Sequence, residues 1–137
     1  MKCSLFVVLL VMSQIARSQS LKTAVLADSR FWYKLHMETT TNKCTLRSIT
    51  ITSKTNPGKT QEIIIDTNGD GSKNEIACDT ARLNKHDWDD FIIEDLDFDG
   101  YNDFRFVITP RPAYGRNVSY QYWRYHPGKQ LFEKDLA

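Results

Sequence analysis

The chain has 137 residues, with 18 basic and 17 acidic side chains and 41% hydrophobic residues. A length of this order supports one small domain with a modest core and is too short for two. The charge balance is nearly neutral, so the distribution of charge carries more information than its sum.

Residues 1–18 read as a cleaved secretory signal. Lys2 gives a positive start, the run from residue 5 to residue 12 is wholly apolar, and Ala16 and Ser18 place small residues three and one before Gln19. Eight apolar residues are too few to span a bilayer as a helix, so no membrane span is expected. A buried N-terminal helix or an uncleaved anchor is the alternative. Losing Lys2 and Arg17 leaves 16 basic against 17 acidic residues, a net charge of about −1 on a single β-rich domain over 19–137. The expected location is the periplasm or the exterior.

The rest of the chain reads as all β, a set of antiparallel hairpins. Residues 31–37 are aromatic and strand-like, and Cys44, Leu46, Ile49 and Ile51 alternate with polar residues in a Thr-rich run. Asn56-Pro57-Gly58-Lys59 is a turn, with Pro57 presetting φ, and 61–65 returns as a strand. Further strands are expected at 103–109, 118–125 and 131–134, the last two joined by the turn at His126-Pro127-Gly128-Lys129. Only 78–89 suggests a short helix. Cys44 and Cys78 are the cysteines outside the leader. An even pair in an exported chain predicts a disulfide, closing a loop of about 35 residues and worth roughly 3 to 4 kcal/mol; two free thiols are the alternative. His36, His86 and His126 offer no zinc spacing.

Charge is segregated. From Asp66 to Asp103 there are twelve acids against Lys73, Arg82 and Lys85, while the remainder is basic. Such a segment argues against nucleic acid and favours a cationic protein partner or a metal. Its centre is Asp95-Leu96-Asp97-Phe98-Asp99-Gly100-Tyr101-Asn102-Asp103, with carboxylates at positions 1, 3, 5 and 9 and glycine at 6. This spacing predicts a hard-cation loop in which Asp95, Asp97, Asp99 and Asp103 give carboxylates and Tyr101 a backbone carbonyl to Ca2+. Position 12 is Phe106 where a helix-loop-helix site would carry glutamate. The loop is therefore the shorter, strand-flanked kind, between Phe91-Ile92-Ile93 and Phe104-Arg105-Phe106-Val107. An acidic solvated turn that binds nothing is the alternative. The same pattern occurs 29 residues earlier, with Asp66, Asn68, Asp70 and Asn74 as a possible second metal site, and the two units together suggest a duplicated strand-loop-strand element.

Tyr120 and Tyr122 share one face of the expected strand with Arg124, and Trp123 and Tyr125 share the other. One face is expected in the core and one half-exposed, with Tyr120 and Tyr122 as possible partner contacts. The preceding stretch is either a solvated connection or a surface that presents Arg111, Tyr114 and Arg116 to an acidic partner.

The run from Ile93 to Phe104, followed by Asn117-Val118-Ser119-Tyr120-Gln121-Tyr122-Trp123-Arg124-Tyr125 and by Lys129-Gln130-Leu131-Phe132, resembles the C-terminal part of a family of small exported bacterial proteins. These are similar to the periplasmic immunity proteins that neutralise lysozyme-like effectors of type IV secretion. The resemblance covers roughly the last 45 residues and implies β-propeller-like blades, a calcium loop and an inhibitory role against a cell-wall hydrolase. The loop at 66–74 separately resembles those of FG-GAP propeller blades. The chain has no G-x-S-x-G, no H-E-x-x-H and no mature cysteine with an obvious histidine partner, so it reads as a binding protein rather than an enzyme. A calcium-stabilised adhesion or ligand-binding module is the first alternative, and a calcium-dependent hydrolase using Asp87, Asp89 or Asp90 beside His86 is the second.

Overall fold

The computed structural model describes residues 20–40, 43–65, 74–85, 90–108 and 119–136. The expected leader, most of the 66–74 loop and the 111–116 stretch lie outside them. Strands β1 (Ser20–Ala27), β2 (Phe31–Thr40), β3 (Lys43–Ser53) and β4 (Thr60–Ile64) form an antiparallel meander, with the two-residue β5 (Glu75–Ile76) also paired to β3. A second antiparallel meander contains β6 (Phe91–Glu94), β7 (Asp103–Ile108), β8 (Ser119–His126) and β9 (Leu131–Lys134). The all-β expectation holds among the described residues. Where a short helix was expected at 78–89, the described part contains one 3-10 turn, Thr80–Arg82, started by the Asp79 side chain accepting from the Ala81 amide. No described helix is long and apolar enough to cross a membrane.

Alternation dictates which faces meet. Tyr33, Leu35 and Met37 of β2 are buried while Trp32 and Lys34 point out. On β3 the buried set changes parity, from Cys44 and Leu46 to Ile49 and Ile51. The cause is a register shift opposite His36 and Met37, which pair with Ser48 and Leu46 and leave Arg47 as an extra residue. A bulge of this kind turns later side chains to the opposite face and keeps both apolar pairs in the core.

The two sheets share one apolar cluster. Tyr33 from the first sheet meets Phe104 and Phe132 from the second edge-on, with ring centroids 6.1 and 6.0 Å apart. Phe91, Phe104 and Phe106 form a stacked ladder, which Trp123 extends at 6.1 Å from Phe104. Each such ring contributes about 2 to 3 kcal/mol through burial, and truncating Phe104 to alanine is expected to remove about 3 to 5 kcal/mol. Gln61 adds a polar tie between the sheets: its amide nitrogen donates to the Phe132 carbonyl at 2.8 Å and its oxygen accepts from the Phe132 amide at 2.9 Å.

The sequence echo does not become a structural duplicate. β6 and β7 pair with each other across the loop at 95–102, whereas β4 and β5 both lie along β3, opposite Ser48–Thr52 and Cys44–Thr45 respectively. The Ile65 amide donates to the Arg47 carbonyl at 2.8 Å, and the Leu46 amide donates to the Asn74 carbonyl at 2.9 Å. The chain thus leaves an edge strand at Ile65 and rejoins it at Asn74. Cys44 and Cys78 are joined at disulfide distance, Cα to Cα 5.2 Å, which fastens the rejoined strand to β3.

Candidate metal centre

The loop after β6 is shaped by its own carboxylates. Asp95 accepts from the amides of Asp99 at 3.1 Å and Gly100 at 2.8 Å, one on each oxygen. Asp97 accepts from the Asp99 amide at 3.3 Å and Asp99 from the Tyr101 amide at 2.9 Å. Side chains that bind the backbone two to five residues on replace sheet pairing with a tight turn. Gly100 has φ +89°, where a Cβ is unfavourable. Phe98 also sits in the left-handed region, at φ +61°, and is 91% exposed between the exposed Asp97 and Asp99.

One carboxylate oxygen from each of Asp95, Asp97 and Asp99 lies within 4.8 Å of the others. Carboxylate oxygen is the donor type a hard cation takes, and these three are the residues that would hold one. Repulsion among them is already partly offset by the amides above and by Arg124, whose Nη1 lies 3.9 Å from Asp97 Oδ2 while its Nη2 holds Asp135 at 2.6 Å. Asp103 stands apart from that group. It is fully buried, its Oδ2 accepts from the Leu96 amide at 3.0 Å, and its Oδ1 accepts from the Tyr125 amide at 2.9 Å. Burial raises its pKa, opposed by those two amides and reinforced by the charges of Asp97 and Asp99. A carboxylate has about four lone-pair sites, so two amides leave it capacity for an ion.

Tyr101, the expected carbonyl donor, places its ring 5.4 Å from that of Tyr125 and 4.3 Å from the Arg30 guanidinium. Asn102 donates to Asp28 at 3.3 Å. Asp28 was not singled out in the sequence, yet it organises this end of the molecule. Its Oδ1 accepts from the amides of Arg30 and Phe31, both at 2.7 Å, and its Oδ2 accepts the Tyr33 hydroxyl at 2.8 Å. The Asp-Ser pair between two strand-like runs is the turn signal that marks it.

Of the second ligand set, Asp66, Asn68 and Asp70 lie outside the described residues. Asn74 is buried, and its Oδ1 is the buried side-chain oxygen without a hydrogen-bond partner among the described residues. Position 9 is thus buried in both loops. Tyr120 is half-buried beneath the Arg105 guanidinium, 4.3 Å from its ring, and Tyr122 is exposed with its ring 6.2 Å from that of Tyr120. Gln121, Trp123 and Tyr125 take the inner face as expected, but Tyr120 also packs against the apolar cluster, so the expected split of faces holds in part. Arg111, Tyr114 and Arg116 lie outside the described residues, as do His86, Asp87 and Asp89. Asp90 is half-buried, and its carbonyl accepts the Val107 amide at 2.9 Å. No family model, no curated protein and no solved structure matches this chain.

Proposed function

We propose that this is an exported, calcium-binding protein that acts by binding rather than catalysis, as an immunity-type inhibitor of a lysozyme-like cell-wall hydrolase. The observation that carries the metal part is the convergence of Asp95, Asp97 and Asp99. These three would hold the ion, with Asp103 and the Tyr101 carbonyl as further donors, and the two calcium loops would belong to propeller-like blades. The ion would supply positive charge where three carboxylates meet. The protein's own residues do the rest. Asp103 and Asn102 fasten the loop to β8 and to Asp28, so the loop presents its exposed edge with little ordering left to lose on binding. Exposed acids at Asp97 and Asp99 favour encounter with a cationic enzyme.

The partner follows from the resemblance of the Ile93–Phe104 and Asn117–Tyr125 runs to the immunity proteins, with Arg111, Tyr114, Arg116, Tyr120 and Tyr122 as the contact residues. The test is capture from periplasm by the mature chain, with and without chelator, followed by a peptidoglycan-hydrolysis assay on what is retained. Retention of a lytic enzyme and its inhibition at stoichiometric protein are expected. Capture of no hydrolase, with no lytic activity slowed, defeats the inhibitor reading and leaves the calcium reading to its own measurement.

A further inference from the structure

A cleft of about 500 Å³ opens where three turns meet: the β1–β2 turn, the β3–β4 turn and the β8–β9 turn. Its volume falls in the range of small-molecule sites. The floor is a triangle of rings from both sheets, Phe31 to Tyr125 at 5.1 Å, Phe31 to Phe132 at 5.4 Å and Tyr125 to Phe132 at 5.1 Å. The Gln61 clasp on the Phe132 backbone fixes that floor to the first sheet. Three turns carried by two tied sheets make a preformed cavity rather than a gap between loose loops.

The rim has one sign of charge. Arg30, Lys59 and Lys129 line the cleft, and no carboxylate is among its described lining residues. Lys129 is paired with Glu133 at 2.8 Å. The other two have neutral partners among the described residues: Lys59 donates to the Gln130 amide oxygen, and the Arg30 guanidinium lies over the Tyr101 ring. Both are exposed and both keep further N–H donors for an incoming anion. An apolar aromatic floor beside two cations whose partners among the described residues are neutral selects a molecule with the opposite arrangement, a flat apolar body carrying an acid group at one end.

We propose that this cleft binds a small organic carboxylate with a ring body, the ring seated on Phe31, Tyr125 and Phe132 and the carboxylate held by Arg30 and Lys59. None of Asp95, Asp97 and Asp99 lines the cleft, although Arg30 and Tyr125 both touch the Tyr101 ring of that loop, and the proposal does not depend on the metal reading or on the hydrolase partner. The rim has the wrong sign for a cation, so the two sites take opposite ligands.

Titration of the 15N-labelled protein with indole-3-acetate, and in parallel with the neutral indole-3-acetamide, tests it on the unaltered chain. Saturable shifts are expected at the amides of Phe31, Gln61 and Phe132, with the amides of β6 unmoved. The neutral probe is expected to bind about tenfold more weakly, the loss of one charge-assisted contact. In a double variant, Arg30→Gln with Lys59→Gln, the acid is expected to weaken by about tenfold or more while the neutral probe is unchanged. Both side chains are exposed, and retained spectral dispersion shows that the variant is folded. Equal binding of the two probes, shifts that do not saturate at millimolar concentration, or shifts centred away from the three turns would each overturn the proposal.

Discussion

The carboxylate of Asp103 accepts the backbone N–H of Tyr125 at 2.9 Å across 22 residues of sequence, while its other oxygen accepts the N–H of Leu96. One buried side chain therefore closes the acidic loop and seats it on β8. Replacing Asp103 by alanine leaves two amides without their charged acceptor. The expected loss is about 3 kcal/mol in urea unfolding, taking roughly 1.5 kcal/mol for each bond to a charged group. Asp103→Asn keeps the volume and one accepting oxygen, and is expected to fall between the two. The measurement belongs in chelator, so that no ion contributes. An alanine variant within about 0.5 kcal/mol of the parent would show that the tie holds nothing.

Reduction of the Cys44–Cys78 bond is expected to lower stability by about 4 kcal/mol, from the unfolded-chain entropy of a 34-residue separation. Its local effect is at the rejoined edge strand, since β5 has only two residues paired to β3. Hydrogen exchange at the Ile76 and Leu46 amides is therefore expected to rise on reduction before exchange in β7 does. Uniform acceleration across both sheets would contradict that order.

Seven strands were legible in the sequence because their alternation or aromatic content matches what they bury. β1 was not. Leu21 and Val25 point outward from it and only Ala24 is buried, so its pattern lacks the apolar face by which a strand is read. β5 is too short to leave any pattern. The acidic loop was legible through its spacing and Gly100, because local carboxylates and a left-handed glycine act within a few residues. The tie from Asp103 to the Tyr125 amide was not, since the two residues are distant in sequence. The echo at 66–74 was legible as composition, and it survives in the burial of Asn74 and Asp103. Strand pairing, which depends on what each edge meets, differs between the two. Asp28 escaped because its three attachments, to its own turn, to Tyr33 and to Asn102, become visible only when both sheets are assembled.

Tyr33 sets an alkaline limit on the fold. Its ring is wholly buried between the sheets, and burial first, then the neighbouring Asp28 charge and hydrogen bond, push its phenol far above the usual tyrosine range. The folded state therefore holds a proton that the unfolded chain releases near pH 10. The contribution is fully present below that pH and is lost as pH rises above it, at about 1.4 kcal/mol per pH unit. Stability measured between pH 9 and 11.5 is expected to bend downward from pH 10. Tyr33→Phe, which has no proton to lose there, is expected to remove this component of the bend while sacrificing about 1.5 kcal/mol at neutral pH through the lost bond to the Asp28 carboxylate. An identical bend in the variant would assign it to other groups.

Arg124 compensates part of the charge that calcium would compensate in the proposed site. The guanidinium lies 3.9 Å from Asp97 and is anchored on Asp135, so in the absence of an ion it partly answers the repulsion among Asp95, Asp97 and Asp99. Removing it with Arg124→Gln makes the loop more negative. The folded protein without ion is expected to lose stability, and the ion is expected to bind about threefold more tightly, the scale of a partly exposed charge pair. Asp97→Ala is expected to act in the opposite sense and to abolish most calcium uptake. For the parent, calcium at about a hundred times its dissociation constant is expected to add about 2.7 kcal/mol, seen as a rise in melting temperature that chelator reverses. Isothermal calorimetry on the three proteins separates the outcomes. No heat from the parent ends the metal reading, and affinity in Arg124→Gln equal to or weaker than that of the parent shows that the ion does not sit among these three carboxylates.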